Sequence, residues 1–173
     1  AVLAMGCATR LELDAIFPRF TDLRVTGIDM TEEMLRALRE KHPDKALRLI
    51  RGDYFACDFG RGAFDAVVSF ESLHHFPRAQ KLGLYRRVFA ALRPGGAFYN
   101  GDYMVETEEE EEALAREAAR LRAEARVPEG AFVHLDTPLA IAAEEALLRQ
   151  AGFSNVERLL REGNTTLLRA GRD

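Results

Sequence analysis

The 173-residue chain has little of several things that would place it quickly. Cysteine occurs twice, at Cys7 and Cys57, too few and too far apart for a disulfide framework or for a metal site of closely spaced ligands. Both read as buried free thiols, and no metal is expected. No apolar run approaches the roughly 18 residues that a membrane helix needs. The apolar start has neither a charged leader nor a small-residue cleavage pattern, so a soluble, cytoplasmic chain without a membrane partner is expected. Charge of one sign is also missing: 24 basic and 28 acidic residues are spread along the sequence for a net −4. Without a Lys/Arg block, nucleic acid is not expected as a partner. Glycine is scarce where it would be most useful, since "AVLAMGCATR" runs from a buried strand into a turn with Gly6 alone.

What is present suits one compact domain over residues 1–173, because 47% of the residues are apolar. After the opening strand, "RLELDAIFPRF" places Leu11, Ile16 and Phe20 among polar residues, as in a short amphipathic helix that Pro18 interrupts. "LRVTGID" is a second strand. Thr31 is placed to cap the next helix, with Glu32 and Glu33 in its first turn, Met34, Leu35 and Leu38 inward, and His42-Pro43 as the stop. "ALRLIRGD" gives a third strand ending at Asp53, and Ala66 to Phe70 a fourth. Leu82, Tyr85, Phe89 and Leu92 then recur at helical spacing until "RPGG", and "AFYNGDY" is a fifth strand.

This alternation argues for an α/β architecture: a Rossmann-like open sheet of about seven strands, mostly parallel, with helices on both faces. Residues 106–136 read as a helical insertion or lid after the fifth strand, with Leu114, Ala118, Leu121 and Ala125 as a narrow apolar stripe. Thr137-Pro138 is expected to start a further helix that Gly152 ends. "NVERLLREGNTTLLRA" closes the chain as a hairpin turning at Gly163-Asn164, which supplies an antiparallel C-terminal strand.

The ordered set "VLAMGCATR", "VTGIDM", "IRGDYF", "FDAVVSFESLHHF" and "ALRPGGAFYNGDY" resembles the class I S-adenosylmethionine-dependent methyltransferases over nearly the whole length. The likeness includes that family's Leu-His-His and Leu-x-Pro-Gly-Gly signatures and an antiparallel last strand. It implies methyl transfer from S-adenosylmethionine to a small-molecule acceptor. The implied cofactor-binding residues are Gly6, Cys7 and Ala8 in the first turn, Asp29 and Met30 after the second strand, Asp53 and Tyr54 after the third, and Phe70 at the end of the fourth. The opening turn departs from the family pattern, with Ala4 for the usual acid and Ala8 and Arg10 for glycines.

The residue types suit those roles. A carboxylate at position 29, roughly 20 residues beyond Gly6, accepts two ribose hydroxyls through charge-assisted bonds. Met30 would lie against adenine, Asp53 would accept from its amino group, and the Tyr54 backbone N–H would serve a ring nitrogen. The plainer alternative has Asp29 capping the Thr31 helix and Asp53 opening a turn. In-line methyl transfer demands alignment and water exclusion before it demands a base. Where the acceptor must shed a proton, His75 and Tyr103 are the candidate catalytic groups, with His74 and Asp102 beside them at the carboxyl ends of the strands. Glu71 suits a cationic substrate group or a solvated helix start, and His134 and Asp136 lie in a loop able to reach over the pocket.

Two other functions fit parts of the pattern. A degenerate, non-catalytic domain that binds a nucleoside ligand or a protein partner would explain Ala4 and Arg10. A nicotinamide oxidoreductase shares the alternation and the acid after strand two, but needs Gly-x-Gly-x-x-Gly, which "GCATRL" lacks.

Overall fold

The computed structural model describes residues 1–6, 11–128, 131 and 133–173. Expectations resting on Cys7, Ala8, Arg10 and the Leu11 side chain lie outside the described residues. Seven strands form one sheet in the order β3-β2-β1-β4-β5-β7-β6. They are β1 (Val2–Met5), β2 (Arg24–Asp29), β3 (Ala46–Arg51), β4 (Phe64–Phe70), β5 (Leu92–Tyr103), β6 (Asn155–Glu162) and β7 (Thr165–Gly171). Only β7 runs against the others, pairing antiparallel with β5 and β6. The expected mixed sheet with a C-terminal hairpin is the one observed.

All four residues of β1 are buried because the strand is central and covered on both faces. On one face, α1 (Leu11–Ile16) and α2 (Glu32–Lys41) close a core of Val2, Ala4, Leu13, Phe17, Val25 and Leu38. On the other, α3 (Arg78–Ala91) and α5 (Ile141–Ala151) pack over Leu3, Val67, Phe98 and Leu168. Helix α4 (Glu108–Glu124) follows β5.

Local chemistry explains where boundaries depart from the sequence reading. The Thr31 side chain makes no cap on α2. Its hydroxyl and amide both donate to Asp29 Oδ1, at 2.5 and 2.9 Å, so Asp29 organises the turn and Thr31 follows. The third strand stops at Arg51, and Asp53 sits in the following turn. Between Leu92 and Ala97 the fifth strand bulges outward: Leu92 pairs with Phe64 and Ala97 with Ala66, with Gly95 at φ +81°. Strand β5 therefore begins directly where α3 ends, and "RPGG" belongs to the strand. Leu92, expected on the helix face, is the first strand residue.

Helix α4 starts with a full capping box, Thr107 and Glu110 satisfying each other's backbone N–H groups. Its apolar stripe docks only at its N-terminal half. Leu114 and Ala118 are covered, whereas Leu121 remains 38% exposed. The helix expected from Thr137 begins instead at Ile141, because Thr137 is committed elsewhere: its N–H and hydroxyl both donate to the His74 carbonyl, at 2.9 and 3.1 Å. Gly152 ends α5 in the left-handed conformation, as expected.

Candidate functional site

At the carboxyl ends of β1 and β4 the sheet order reverses, and such a switch point is where open α/β sheets hold ligands. Gly6 turns the chain there with φ +66°. A Cβ on it would lie 2.4 Å from Ser72 Oγ, so conformation and space both require glycine. Ser72 is itself held by the Tyr54 hydroxyl, 3.0 Å from its carbonyl and 2.9 Å from its Oγ. Burial pushes the Tyr54 phenol up to about 12, which keeps it protonated as a donor. The turns after β1, β3 and β4 are thereby drawn to one point. The sequence reading gives Tyr54 a role through its backbone only, because a contact with Ser72, distant in sequence, leaves no local signal.

Asp29 is almost fully buried at the tip of β2. Its Oδ1 is taken by Thr31, while Oδ2 makes no hydrogen bond among the described residues. Met30 beside it is 59% exposed, a large apolar side chain left for something to cover. Asp53 is exposed, with Oδ1 accepting the Phe55 N–H at 2.8 Å. Phe70 falls apart from this group. Its ring occupies the space a Gly101 side chain would need and lines a separate apolar groove of about 620 Å³ with Phe20, Tyr99 and Leu167.

A second cluster stands just beyond β4. Asp102, 1% exposed, accepts the Leu73 N–H on Oδ2 at 3.0 Å. On Oδ1 it takes His74 Nδ1 at 2.6 Å and the Tyr103 N–H at 3.1 Å. Asp136 Oδ1 is 3.5 Å from His74 Nε2 and 3.3 Å from His75 Nδ1, and the two imidazoles are 4.0 Å apart. His134 adds a third ring, 5.1 Å from His75. Glu71 adopts φ +46°, unusual for a residue with a side chain. Its carboxylate accepts the Thr165 hydroxyl at 2.7 Å and lies 3.9 Å from His74.

These surroundings split the two histidines. Burial lowers the His74 pKa, but the Asp102 hydrogen bond and the charges of Asp102, Asp136 and Glu71 outweigh it and hold His74 above its ordinary value. Burial and the charge of His74 push His75 the other way. His74 thus keeps its proton to higher pH than His75, and His75 is the member better disposed to be neutral.

His75 also lines a cavity of about 820 Å³, which extends from Asp53 and Phe55 to α4 and the 131–139 segment. Tyr103 does not line it; its ring is 6.0 Å from His74. The cavity brings together Asp53 and His75 from the expected site with Phe76, Glu111 and Arg122, none of which sequence reasoning singled out.

Comparison with known proteins bears on the family and the fold. The model of a family described as "Methyltransferase domain" matches residues 2–96. Sterol 24-C-methyltransferase of Candida albicans is 29% identical over 106 residues, 56% of this chain and 28% of that protein. The Debaryomyces hansenii enzyme of the same name is 31% identical over 101 residues, 56% of this chain and 26% of that protein. The chain thus spans about a quarter of the length of the curated relatives it matches. Among solved structures, the apo form of the S-adenosylmethionine-dependent methyltransferase SibL superposes with a TM-score of 0.72. It is 23% identical, over 99% of this chain and 50% of SibL. With its seven-stranded mixed sheet and more than half its length matched by the family model, the chain belongs to the class I S-adenosylmethionine-dependent methyltransferase family.

Proposed function

We propose that the chain transfers a methyl group from S-adenosylmethionine to a small-molecule acceptor held in the 820 Å³ cavity. The observation that carries this reading is the meeting of the bare Gly6 turn, the half-engaged Asp29 carboxylate and Asp53 beside a cavity lined by His75. These residues fit the cofactor. Asp29 Oδ2 is available to accept ribose hydroxyls, Met30 offers an apolar face, and Asp53 and the Tyr54 backbone suit the adenine edge. Gly6 supplies close backbone. When bound, the cofactor supplies an activated methyl group on a sulfonium.

The chain's own residues align the acceptor, exclude water and handle the proton. Apolar walls and helix α4 shield the cavity. His75 accepts the proton of an acceptor that must lose one, and its burial, together with the neighbouring His74, holds its pKa down beforehand. Asp102 fixes His74, while Tyr103 packs against it from the strand side. The names of the sterol methyltransferase relatives support a small-molecule acceptor.

Calorimetric titration with S-adenosylhomocysteine and with NAD tests this reading. The homocysteine compound should bind and NAD should not, and Asp29→Ala should weaken binding at least tenfold. Binding of NAD alone would overturn the assignment.

A further inference from the structure

The cavity carries information about its occupant that the fold does not. Phe55 and Phe76 pack ring against ring at 4.4 Å and form one wall. Ala115, Ala118 and Ala119 of α4 line it as well, where small side chains leave width. A cavity whose lining combines an aromatic pair with an alanine face suits a flat apolar body.

Its charges do not balance locally. Arg78 is neutralised: Nε and Nη2 both donate to Glu111 Oε1, at 2.8 and 2.5 Å, and Glu111 Oε2 accepts the Ala140 N–H. Arg122 is treated differently. Its Nη2 donates to two carbonyls, Ala131 at 2.9 Å and Pro128 at 3.4 Å, and no carboxylate lies within ion-pair distance among the described residues. The carbonyls hold the guanidinium in place without cancelling its charge. A fixed, half-buried guanidinium with donors to spare, facing apolar walls, matches a carboxylate better than any neutral group.

We infer that the acceptor class is an aromatic or polycyclic carboxylic acid, its body in the cavity lined by Phe55, Phe76 and the alanine face of α4 and its carboxylate on Arg122. The inference deepens the methyltransferase reading and rests on it only in naming the acid as acceptor. The binding site itself stands on the cavity.

The test uses 3-hydroxy-2-naphthoate and 2-naphthol, which share a ring system and differ by one carboxylate. Each is titrated into the full chain by calorimetry, with and without S-adenosylhomocysteine. The acid should bind at least tenfold more tightly than the naphthol. Arg122→Gln, which retains a donor for the carbonyls but no charge, should erase that preference, and Arg122→Lys should keep most of it. Ala115→Trp, at an exposed position of the same lining face, should abolish binding of both probes without lowering the melting temperature. Equal affinity for the two probes, preference surviving in Arg122→Gln, or unchanged binding in a folded Ala115→Trp protein would each overturn the inference. Preference for the acid in a protein that does not bind S-adenosylhomocysteine would leave the site standing and remove the methyltransferase reading. Normal binding of S-adenosylhomocysteine with no preference for the acid would do the reverse.

Discussion

Two buried charge clusters flank helix α3, and they are built on opposite plans. Beneath the helix, Lys81 and Glu144, 1% and 0% exposed, form an ion pair at 2.9 Å. Tyr85 completes it with a hydroxyl donated to Glu144, and Asn100 adds a longer bond at 3.4 Å. The cluster is sealed from solvent and lines neither the 820 Å³ cavity nor the 620 Å³ groove, so it locks α3, α5 and β5 together. Ahead of the helix, His74 and Asp102 are nearly as deeply buried, but they continue through Asp136 and His75 into the cavity. Charge sealed on every side supports packing; charge that leads into a pocket is available for chemistry. Burial alone does not separate the two, whereas connection to the cavity does.

The largest effect expected from this contrast comes from the sealed pair. Lys81→Met strands the Glu144 charge and should cost about 3–5 kcal/mol, lowering the melting temperature by on the order of 10 °C. Lys81→Met combined with Glu144→Leu should recover most of that loss, as measured by denaturant unfolding. A single variant within ~1 kcal/mol of wild type would break the distinction at its structural end.

Next in size is Asp102→Asn, which keeps an acceptor for Leu73 but removes the charge facing His74. It should cost about 1–3 kcal/mol and bring the His74 titration midpoint down, followed by histidine NMR. Lys81→Met should leave that midpoint where it is. Equal movement in both variants would merge the clusters into one electrostatic unit.

The open cluster should also make stability depend on pH. His74 is raised in the folded state, so its contribution is fully present below the unfolded value near 6.5 and is lost as pH rises through the folded value. Urea midpoints should therefore decline as pH climbs above about 6.5, and the decline should shrink in Asp102→Asn. A flat profile through this window would mean that folding does not raise His74.

The smallest effect concerns Asp29. Thr31 donates two bonds to it, so Asp29→Ala should destabilise the ligand-free protein by about 1 kcal/mol, read by thermal unfolding. The loss in affinity for S-adenosylhomocysteine should exceed this. If affinity falls no more than stability does, Asp29 is a turn residue alone.

Much of this molecule is legible in its sequence because hydrophobic periodicity reports directly on burial. The all-buried run of β1, the helical spacing of Leu35 and Leu38, and the Gly163-Asn164 turn each follow from local rules. Errors arose where a residue had two possible partners and the tertiary structure chose. Thr137 has the chemistry of a helix cap, but the His74 carbonyl, distant in sequence, takes both its donors. Leu92 and "RPGG" look like a helix end because a strand bulge uses the same residues as a turn. The stripe of α4 is amphipathic along its length, yet only Leu114 and Ala118 meet a partner surface.

In the candidate site, acids and histidines at strand ends could be read singly from the sequence, and His75 is found lining the cavity. Their pairing could not, since His74 meets Asp102 only after the fifth strand is laid beside the fourth. Arg122 gave no local signal at all, being one arginine among several on a polar helix.

The two bonds from Thr137 to a single carbonyl have a spectroscopic consequence. An amide oxygen that accepts twice vibrates at lower frequency than one that accepts once, so the His74 carbonyl is a built-in reporter on the 131–139 wall. Isotope-edited infrared spectra of protein labelled at the His74 carbonyl alone would show this band rise if Thr137 left it. Any such release would then be timed on the protein's own backbone, without a fluorophore and without knowing the acceptor.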